Sequence, residues 1–506
     1  MGCMKVLGIL LPGAFALVAA AGSAPAASSP GQTLELTIDR AAVMALAGND
    51  KVRQYEERLA ERKFDARGAV GAFLPSIGLC GGYTHLDNPL TFDLDPIRSA
   101  MLNIEAANQV NFASIASQMA GGPAITDPTS AAYQAIYDKA YAALGSQVPD
   151  FIDTLQKQNF PSAAVTAVLP LFTGGRIVAG VRAAAAEERG SSFELDDVRN
   201  RTLQETVDNY MTVVLLDNVV AVRGEVRDAM LVHCSHAEKL AAQGSIARYH
   251  LLRAKVAVAE AERDLADEKD RLAIALMALR KSLALDENAD IRVSDSLVYL
   301  PLPDSVDPFE EAAAAGQPLL GLIGQKKIIA SEKVAGQRGA LLPQIAAFGR
   351  YELFPSYLSA LDPKWVVGVN ATVPLFAGGR NIASLRSANH LVREVEALES
   401  STRRDVSLWV TKAYREMRAA EQRYLRSDAD RELSAENLRQ CRSRFDAGYG
   451  TSLEVIDAQL TVERNRIDRL VALFDYYRSM TDLYTAAGHT ASVVALLSPK
   501  GSSHAP

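Results

Sequence analysis

Val168-Leu169-Pro170-Leu171-Phe172-Thr173-Gly174-Gly175-Arg176 returns 204 residues later as Thr372-Val373-Pro374-Leu375-Phe376-Ala377-Gly378-Gly379-Arg380. Downstream the same offset aligns Gly244 with Gly448 and Ala254 with Ala458. Upstream the offset widens to 268, matching Thr37 with Ser305, Gly48 with Gly316, Leu74-Pro75 with Leu342-Pro343, and Tyr83 with Tyr351. The first copy therefore carries 64 extra residues between its two strands, at about 87–160. A period this long exceeds any solenoid unit. It predicts one protomer of two equivalent halves, each ordered helix, strand, strand, long helix, long helix.

Four segments read as strands: 75–86, 161–172, 343–354 and 365–376. In the last, Trp365, Val367, Val369, Ala371, Val373 and Leu375 share one face, opposite Gly368, Asn370 and Thr372, with Val366 as the exception. In 161–172, Ala163, Val165, Ala167 and Leu169 oppose Ser162, Ala164 and Thr166. Such alternation suits a membrane barrel, apolar side to lipid and small polar side to the lumen. A soluble half-buried hairpin has the same period.

Each Gly-Gly-Arg opens a proline-free helical stretch, 177–240 and 381–445. At 1.5 Å per residue each reaches roughly 100 Å. Second helices follow, to about Leu285 and Gly488. In the last one, Leu453, Leu460, Ile467 and Phe474 recur every seven residues with Ile456, Leu470 and Tyr477 interleaved, a coiled-coil seam that Glu463 interrupts. Thr37 and Ser305 are expected N-caps of the leading helices, which Pro75 and Pro343 end. Two amphipathic stretches, 97–119 and 131–155, lie in the insert.

The chain has 506 residues and a net charge of −7, without a basic nucleic-acid footprint. Lys5, the apolar run 6–20 and Ala24-Pro25-Ala26 read as a secretory signal over 1–26. A membrane anchor is the competing reading, opposed by Pro12 and Gly13 within the run. The expected division continues with a first repeat over 27–285, a linker at 286–304, a second repeat over 305–488 and a flexible tail at 489–506. Cys80, Cys234 and Cys441 remain beyond the signal, too few and too scattered for a disulfide framework. No later apolar stretch approaches the ~18 residues of a membrane helix.

The two Leu-Pro junctions, the two Pro-Leu-Phe-x-Gly-Gly-Arg junctions and the paired hairpins at Gly244 and Gly448 together resemble the outer membrane efflux protein family, the TolC-like channels. The resemblance spans about 37–488 apart from the insert. It implies a mainly α protein with a membrane β-barrel. In that arrangement a homotrimer builds a twelve-stranded barrel in outer-membrane lipid from four strands per protomer, continuing into a long periplasmic coiled-coil α-barrel. It further implies a periplasmic membrane-fusion adaptor protein and an inner-membrane transporter as partners. Oligomerisation follows on independent grounds, since four strands cannot close a barrel and open edges are forbidden in lipid, whereas the number three comes from the resemblance alone.

The resemblance assigns the strand-to-helix junctions to Pro170, Gly174, Gly175, Pro374, Gly378 and Gly379. It assigns adaptor-contacting hairpin tips to Gly244, Ser245, Gly448, Tyr449 and Gly450. It places an acidic periplasmic constriction at Glu454 and Asp457 and an aromatic gate at Phe445; a solvated acidic helix face is the plainer reading of the two acids. The first-half equivalents, His250 and Arg253, are not acidic, and Gly450 stands where other members carry a gate-locking base. His233, Cys234 and His236 include zinc-donor types, but Cys234 points away from the histidine face. Gly174-Gly175-Arg176 lacks the Lys-Ser/Thr of a phosphate loop. The reading is a passive exit channel for small-molecule efflux, with no catalysis, cofactor or metal. Type I protein secretion and a non-conducting periplasm-spanning tether remain as alternatives.

Overall fold

The computed structural model describes residues 34–498 apart from 151, 296 and 359–361. The expected signal at 1–26 and the last residues of the tail lie outside the described residues. In chain order the elements are β1 (Leu34–Leu36), α1 (Ile38–Gly48), α2 (Asp50–Val70), β2 (Ser76–His85), β3 (Leu90–Asp93), α3 (Asp95–Met119) and α4 (Ala131–Gln147). Then come β4 (Ile152–Gln156), β5 (Asn159–Phe172), α5 (Arg176–Ala242), α6 (Arg248–Ser282), β6 (Ile291–Val293), α7 (Asp307–Gly316) and α8 (Pro318–Gly339). The last are β7 (Gln344–Glu352), β8 (Trp365–Thr372), α9 (Arg380–Asp446), α10 (Ser452–Ala486) and α11 (Thr490–Leu497). They form two compact units. One holds residues up to 61 together with 188–326 and 395 onward, and the other holds 62–187 and 327–394.

The second unit contains an antiparallel sheet in the order β2-β5-β7-β8. Its register carries the alternation read from sequence across every strand. Leu79 lies opposite Val165, Val165 opposite Tyr351, and Tyr351 opposite Trp365. The neighbouring row is Ile77, Ala167, Gly349 and Val367. Ile77, Leu79, Tyr351, Trp365, Val367 and Val369 are all exposed in the single chain. The opposite face carries Gly78, Thr166, Arg350 and Val366 in one row. There Arg350 forms an ion pair with Glu352. Among the described residues β2 and β8 are edges with no partner on their outer side.

β8 stops at Thr372, short of the expected Phe376, whereas β5 runs on to Phe172. β5 has neighbours on both sides. β8 has one, and Pro374 offers no N–H to extend the ladder. The turn into each long helix uses left-handed backbone at Gly174 (φ 62°), Gly175 (83°), Gly378 (61°) and Gly379 (77°), a region that side chains rarely adopt. Gly174 also meets Gly339 backbone to backbone. A Cβ on either would lie 2.4 Å from the other's carbonyl oxygen.

In the insert, α3 and α4 follow the two amphipathic stretches, but α4 ends at Gln147 rather than near Leu155. Residues 152–156 instead form β4, which pairs antiparallel with β3.

The first unit is helical around a core containing Leu36, Ile38, Tyr210, Leu279, Met417, Met480 and Leu483. A short parallel pair, β1 with β6, closes one side of it. Asp295 ties this corner together. Its Oδ2 accepts from the Ile38 N–H at 2.8 Å and from the Tyr210 hydroxyl at 2.7 Å. The linker 286–304 therefore contains β6 and is strapped to α10, with Tyr476 donating to Leu300 O at 2.6 Å.

Four expectations change in this unit. Thr37 caps α1, but Ser305 lies one residue before the Val306 cap and accepts from the Asp307 N–H at 3.2 Å. The leading helices are broken at Asn49, whose Oδ1 accepts from the Lys51 N–H at 2.9 Å, and at Gln317, which precedes proline. The start of the tail folds as α11, because burying Val493 and Val494 against the core removes apolar surface from water. Finally, α10 buries only part of the expected seam near its start: Ile456 is buried but Leu460 is exposed, and Ser452, Val455, Gln459 and Glu463 are buried in its place. Among the described residues no helix is long and apolar enough to cross a membrane.

Candidate functional site

The site is the pair of turns that joins α5 to α6 and α9 to α10. Each long helix ends in a left-handed glycine, Gly244 (φ 74°) and Gly448 (φ 77°). The N–H of the following residue reaches back across the last turn: Ser245 to Leu240 O and Tyr449 to Arg444 O, both at 2.9 Å. This is the hydrogen-bond signature of a Schellman end, which satisfies carbonyls that the helix leaves open. Tyr449 stands out at the tip, 84% exposed. Gly450 folds back so closely that a Cβ there would lie 2.8 Å from the Phe445 nitrogen.

Phe445 is not a free-standing aromatic gate. It is 2% exposed and packs with Ala237, Ala254 and Val455. The rings of His233 and His236 lie 4.9 and 6.2 Å from it, centroid to centroid. Phe445 is the hydrophobic pin between the two hairpins, because α5 presents small residues and flat imidazoles to it.

Polar contacts complete the pin. His233 Nε2 and Ser452 Oγ share a hydrogen bond of 2.8 Å, and His236 Nδ1 lies 3.1 Å from Asp446 Oδ1. Burial, and then the positive charge of His236 and Arg442, hold the His233 pKa below the usual range, with Asp446 opposing them. Arg442 donates to Gln459 at 2.5 Å. The histidines face Ser452 and Asp446, while Cys234 joins the apolar cluster. Among the described residues no group of three His, Cys, Asp or Glu could hold a metal.

Glu454 and Asp457 occupy the first turns of α10 but differ in setting. Thr451 caps the helix and accepts from the Glu454 N–H at 3.3 Å. Glu454 is half-buried and its Oε2 is shut from solvent without a hydrogen-bond partner, whereas Asp457 is exposed. The first-half counterpart His250 likewise has a buried Nδ1 without a partner, and Arg253 is exposed.

Further along the helices, Arg223 of α5 forms an ion pair with Glu463 of α10 and lies 3.5 Å from Asp264 of α6. Glu463 is 4% exposed, and its pKa is raised, first by that burial. The residue that breaks the heptad in sequence is thus a cross-link among three helices.

A four-stranded antiparallel sheet with strands leading into two 67-residue helices is the fold of solved outer-membrane channels. The chain belongs to the outer membrane efflux protein family, whose model matches residues 132–285 and 328–489. Members of this family are channels of the outer membrane with a periplasmic helical extension, and that is where this protein resides. It is 25% identical over 223 residues to outer membrane protein TolC of Vibrio cholerae serotype O1, a match covering 44% of this chain and 50% of that protein. The chain therefore spans about half the length of that curated relative. Among solved structures it resembles the outer membrane protein VceC of Vibrio cholerae, with a TM-score of 0.67 at 15% identity, covering 89% of this chain and 96% of that one. A membrane protein from Pseudomonas aeruginosa matches with a TM-score of 0.67 at 16% identity, covering 92% and 95%.

Proposed function

We propose that three copies of this chain close their sheets into one twelve-stranded barrel and act as the passive exit channel of a tripartite efflux system for small molecules. The observation that carries this is the sheet itself. One face carries exposed Ile77, Leu79, Tyr351, Trp365, Val367 and Val369 with half-buried apolar residues of β5 between them, and among the described residues both outer strands, β2 and β8, have unpaired edges. Unpaired backbone is not tolerated in lipid, so edge must meet edge on a neighbouring copy. The opposite face, with Thr166, Asn370 and the Arg350–Glu352 pair, then lines water.

The two hairpin tips, Gly244-Ser245 and Gly448-Tyr449-Gly450, face a periplasmic adaptor, which couples the channel to an inner-membrane transporter. Exposed Tyr449 supports a protein contact there. Glu454 and Asp457 form acidic rings near this end, with Asp457 as the solvent-facing member. Gating separates the hairpins that Phe445 pins. The 64-residue insert caps the extracellular mouth, because both strand pairs enter the membrane from helices on the periplasmic side.

The test is purification from the outer membrane, native mass measurement in lipid and planar-bilayer recording. A trimer that conducts ions is expected. A monomer defeats the assembly, and a trimer without current leaves only the structural tether.

A further inference from the structure

The insert is a rigid helical hairpin with one face to spare. α3 packs Leu102, Ala106, Val110 and Ser114 inward. The turn after it is closed by Ser114 Oγ, which accepts from the Ile125 N–H at 2.8 Å. Tyr137 of α4 donates to Asn103 at 2.7 Å. Arg98 donates to the carbonyls of Gly145 and Val148 at 3.0 and 2.8 Å and lies 3.4 Å from Asp150. The other side of α3 carries Ile97, Met101, Ile104, Phe112, Ile115 and Met119, all exposed, Phe112 to 67% and Met119 to 85%. At helical spacing these share one face, apolar at both ends and interrupted in the middle by exposed Asn108, between Ile104 and Phe112. It runs roughly 33 Å at 1.5 Å per residue.

An uncovered, largely apolar stripe of this length on a water-facing segment marks a binding surface. Two occupants suit it, the lipid surface and a second copy of this chain. Helices that lie on anionic headgroups flank their apolar face with Lys and Arg. Between 95 and 147 the only bases are Arg98 and Lys139. Arg98 is turned inward onto the end of α4, and Lys139 is on α4, not beside the stripe. Position favours the copy. The chain enters the insert directly from β2, a free edge of the sheet. Whatever copy completes the sheet at that edge stands beside the insert.

We propose that the outer face of α3 is the seam by which the inserts of neighbouring copies dock on one another and close a cap over the channel mouth. The proposal rests on the trimeric reading above.

The test uses the full-length protein assembled in outer membranes, with Cys80, Cys234 and Cys441 replaced by Ser and with Ile104→Cys. Native mass is measured first, and then a short bis-maleimide is added. Trimers with Ile104→Cys should cross-link between copies, whereas Asp138→Cys on the far side of α4 should not. In a second arm, Ile104→Glu with Ile115→Glu should leave the trimer intact and raise single-channel conductance by about twofold or more, as the cap opens. Trimers that neither cross-link nor change conductance overturn the seam while leaving the channel reading standing. A photoreactive group at 104 that labels lipid instead of protein also overturns it. Absence of trimers removes both readings, and the mass measurement identifies that case.

Discussion

His233 Nε2 on α5 meets Ser452 Oγ on the first residue of α10 at 2.8 Å, across 219 residues of sequence. The contact joins the end of one hairpin to the start of the other and is sealed by the Phe445 ring. Its charge environment is one-sided: His236 and Arg442 are positive neighbours, and Asp446 is the single opposing charge.

Acid should therefore loosen this end. Burial keeps the His233 pKa below its ordinary value of 6.5, so the folded pairing favours the neutral ring. The stabilisation is complete above that value and is lost as pH falls through the lowered one. Protection of the first turn of α10 against hydrogen exchange, after allowing for the slower intrinsic rate in acid, should fall as pH drops below 6.5 in the wild type. His233→Gln, which keeps a donor and an acceptor but does not titrate, should flatten the profile. An unchanged profile would assign the effect to other groups. Ser452→Ala should weaken the contact by about 1 kcal/mol, since it removes the partner of a half-buried ring nitrogen.

Asp457 should dominate cation binding at the periplasmic end. It is exposed, whereas Glu454 is half-buried with one oxygen shut from solvent. In the trimer proposed above, six carboxylates would be gathered at this end and would focus a negative potential that draws cations in. Single-channel current at low salt, where screening is weakest, is the measurement. Asp457→Ala alone should remove most of the block by trivalent cations, and Glu454→Ala with Asp457→Ala should remove the rest along with cation selectivity. Equal block in all three proteins would reduce both acids to a solvated helix face.

Residues that signal locally were legible in the sequence. The Gly-Gly pairs of the junctions, the alternation of β5 and β8 and the long proline-free helices all announce themselves within a few residues. What was not legible depends on distant partners. Glu463 reads as a flaw in a heptad, and only Arg223 and Asp264 on two other helices make it a cross-link. Phe445 reads as an aromatic at a helix end, yet α5 supplies the pocket that buries it. The β1–β6 pair is three residues on each side, too short for a periodic signal. The buried face of α10 is set by its neighbours, and so it departs from the seven-residue spacing.

The Arg223–Glu463 pair should be costly to break and inexpensive to replace. Removing one partner leaves a charge with little solvent, and such losses run to about 3–5 kcal/mol. Arg223→Met should lower the melting temperature of the protein, as should Glu463→Gln to a smaller degree, because the amide still hydrogen-bonds. Arg223→Met combined with Glu463→Leu should recover most of the loss, since Val226, Met230 and Ile456 already make this an apolar neighbourhood. Additive losses in the double variant would show that the pair carries no mutual dependence.

Asp208 gives a second pH dependence, of opposite sign. It lies on α5 one turn beyond Gln204, whose side chain donates to Asp482 Oδ1 of α10 at 2.6 Å. Asp208 Oδ1 is buried without a hydrogen-bond partner. Burial, followed by the negative charge of Asp482, pushes the Asp208 pKa up from 3.8 to about 7, with Arg478 opposing. Burial also raises the Asp482 pKa, with Glu416 adding to the rise and Gln204, Arg478 and Lys412 opposing it. A raised acid stabilises the fold while protonated. That contribution is whole below 3.8 and is lost as pH climbs through about 7. The wild type should then melt at a lower temperature at pH 8 than at pH 6. Asp208→Asn, permanently neutral, should gain on the order of 2–4 kcal/mol over the wild type at pH 8 and roughly a third of that at pH 5. Melting curves of both proteins across this range decide it. Parallel curves would mean that Asp208 stays ionised throughout and that water in the assembled channel reaches its buried oxygen.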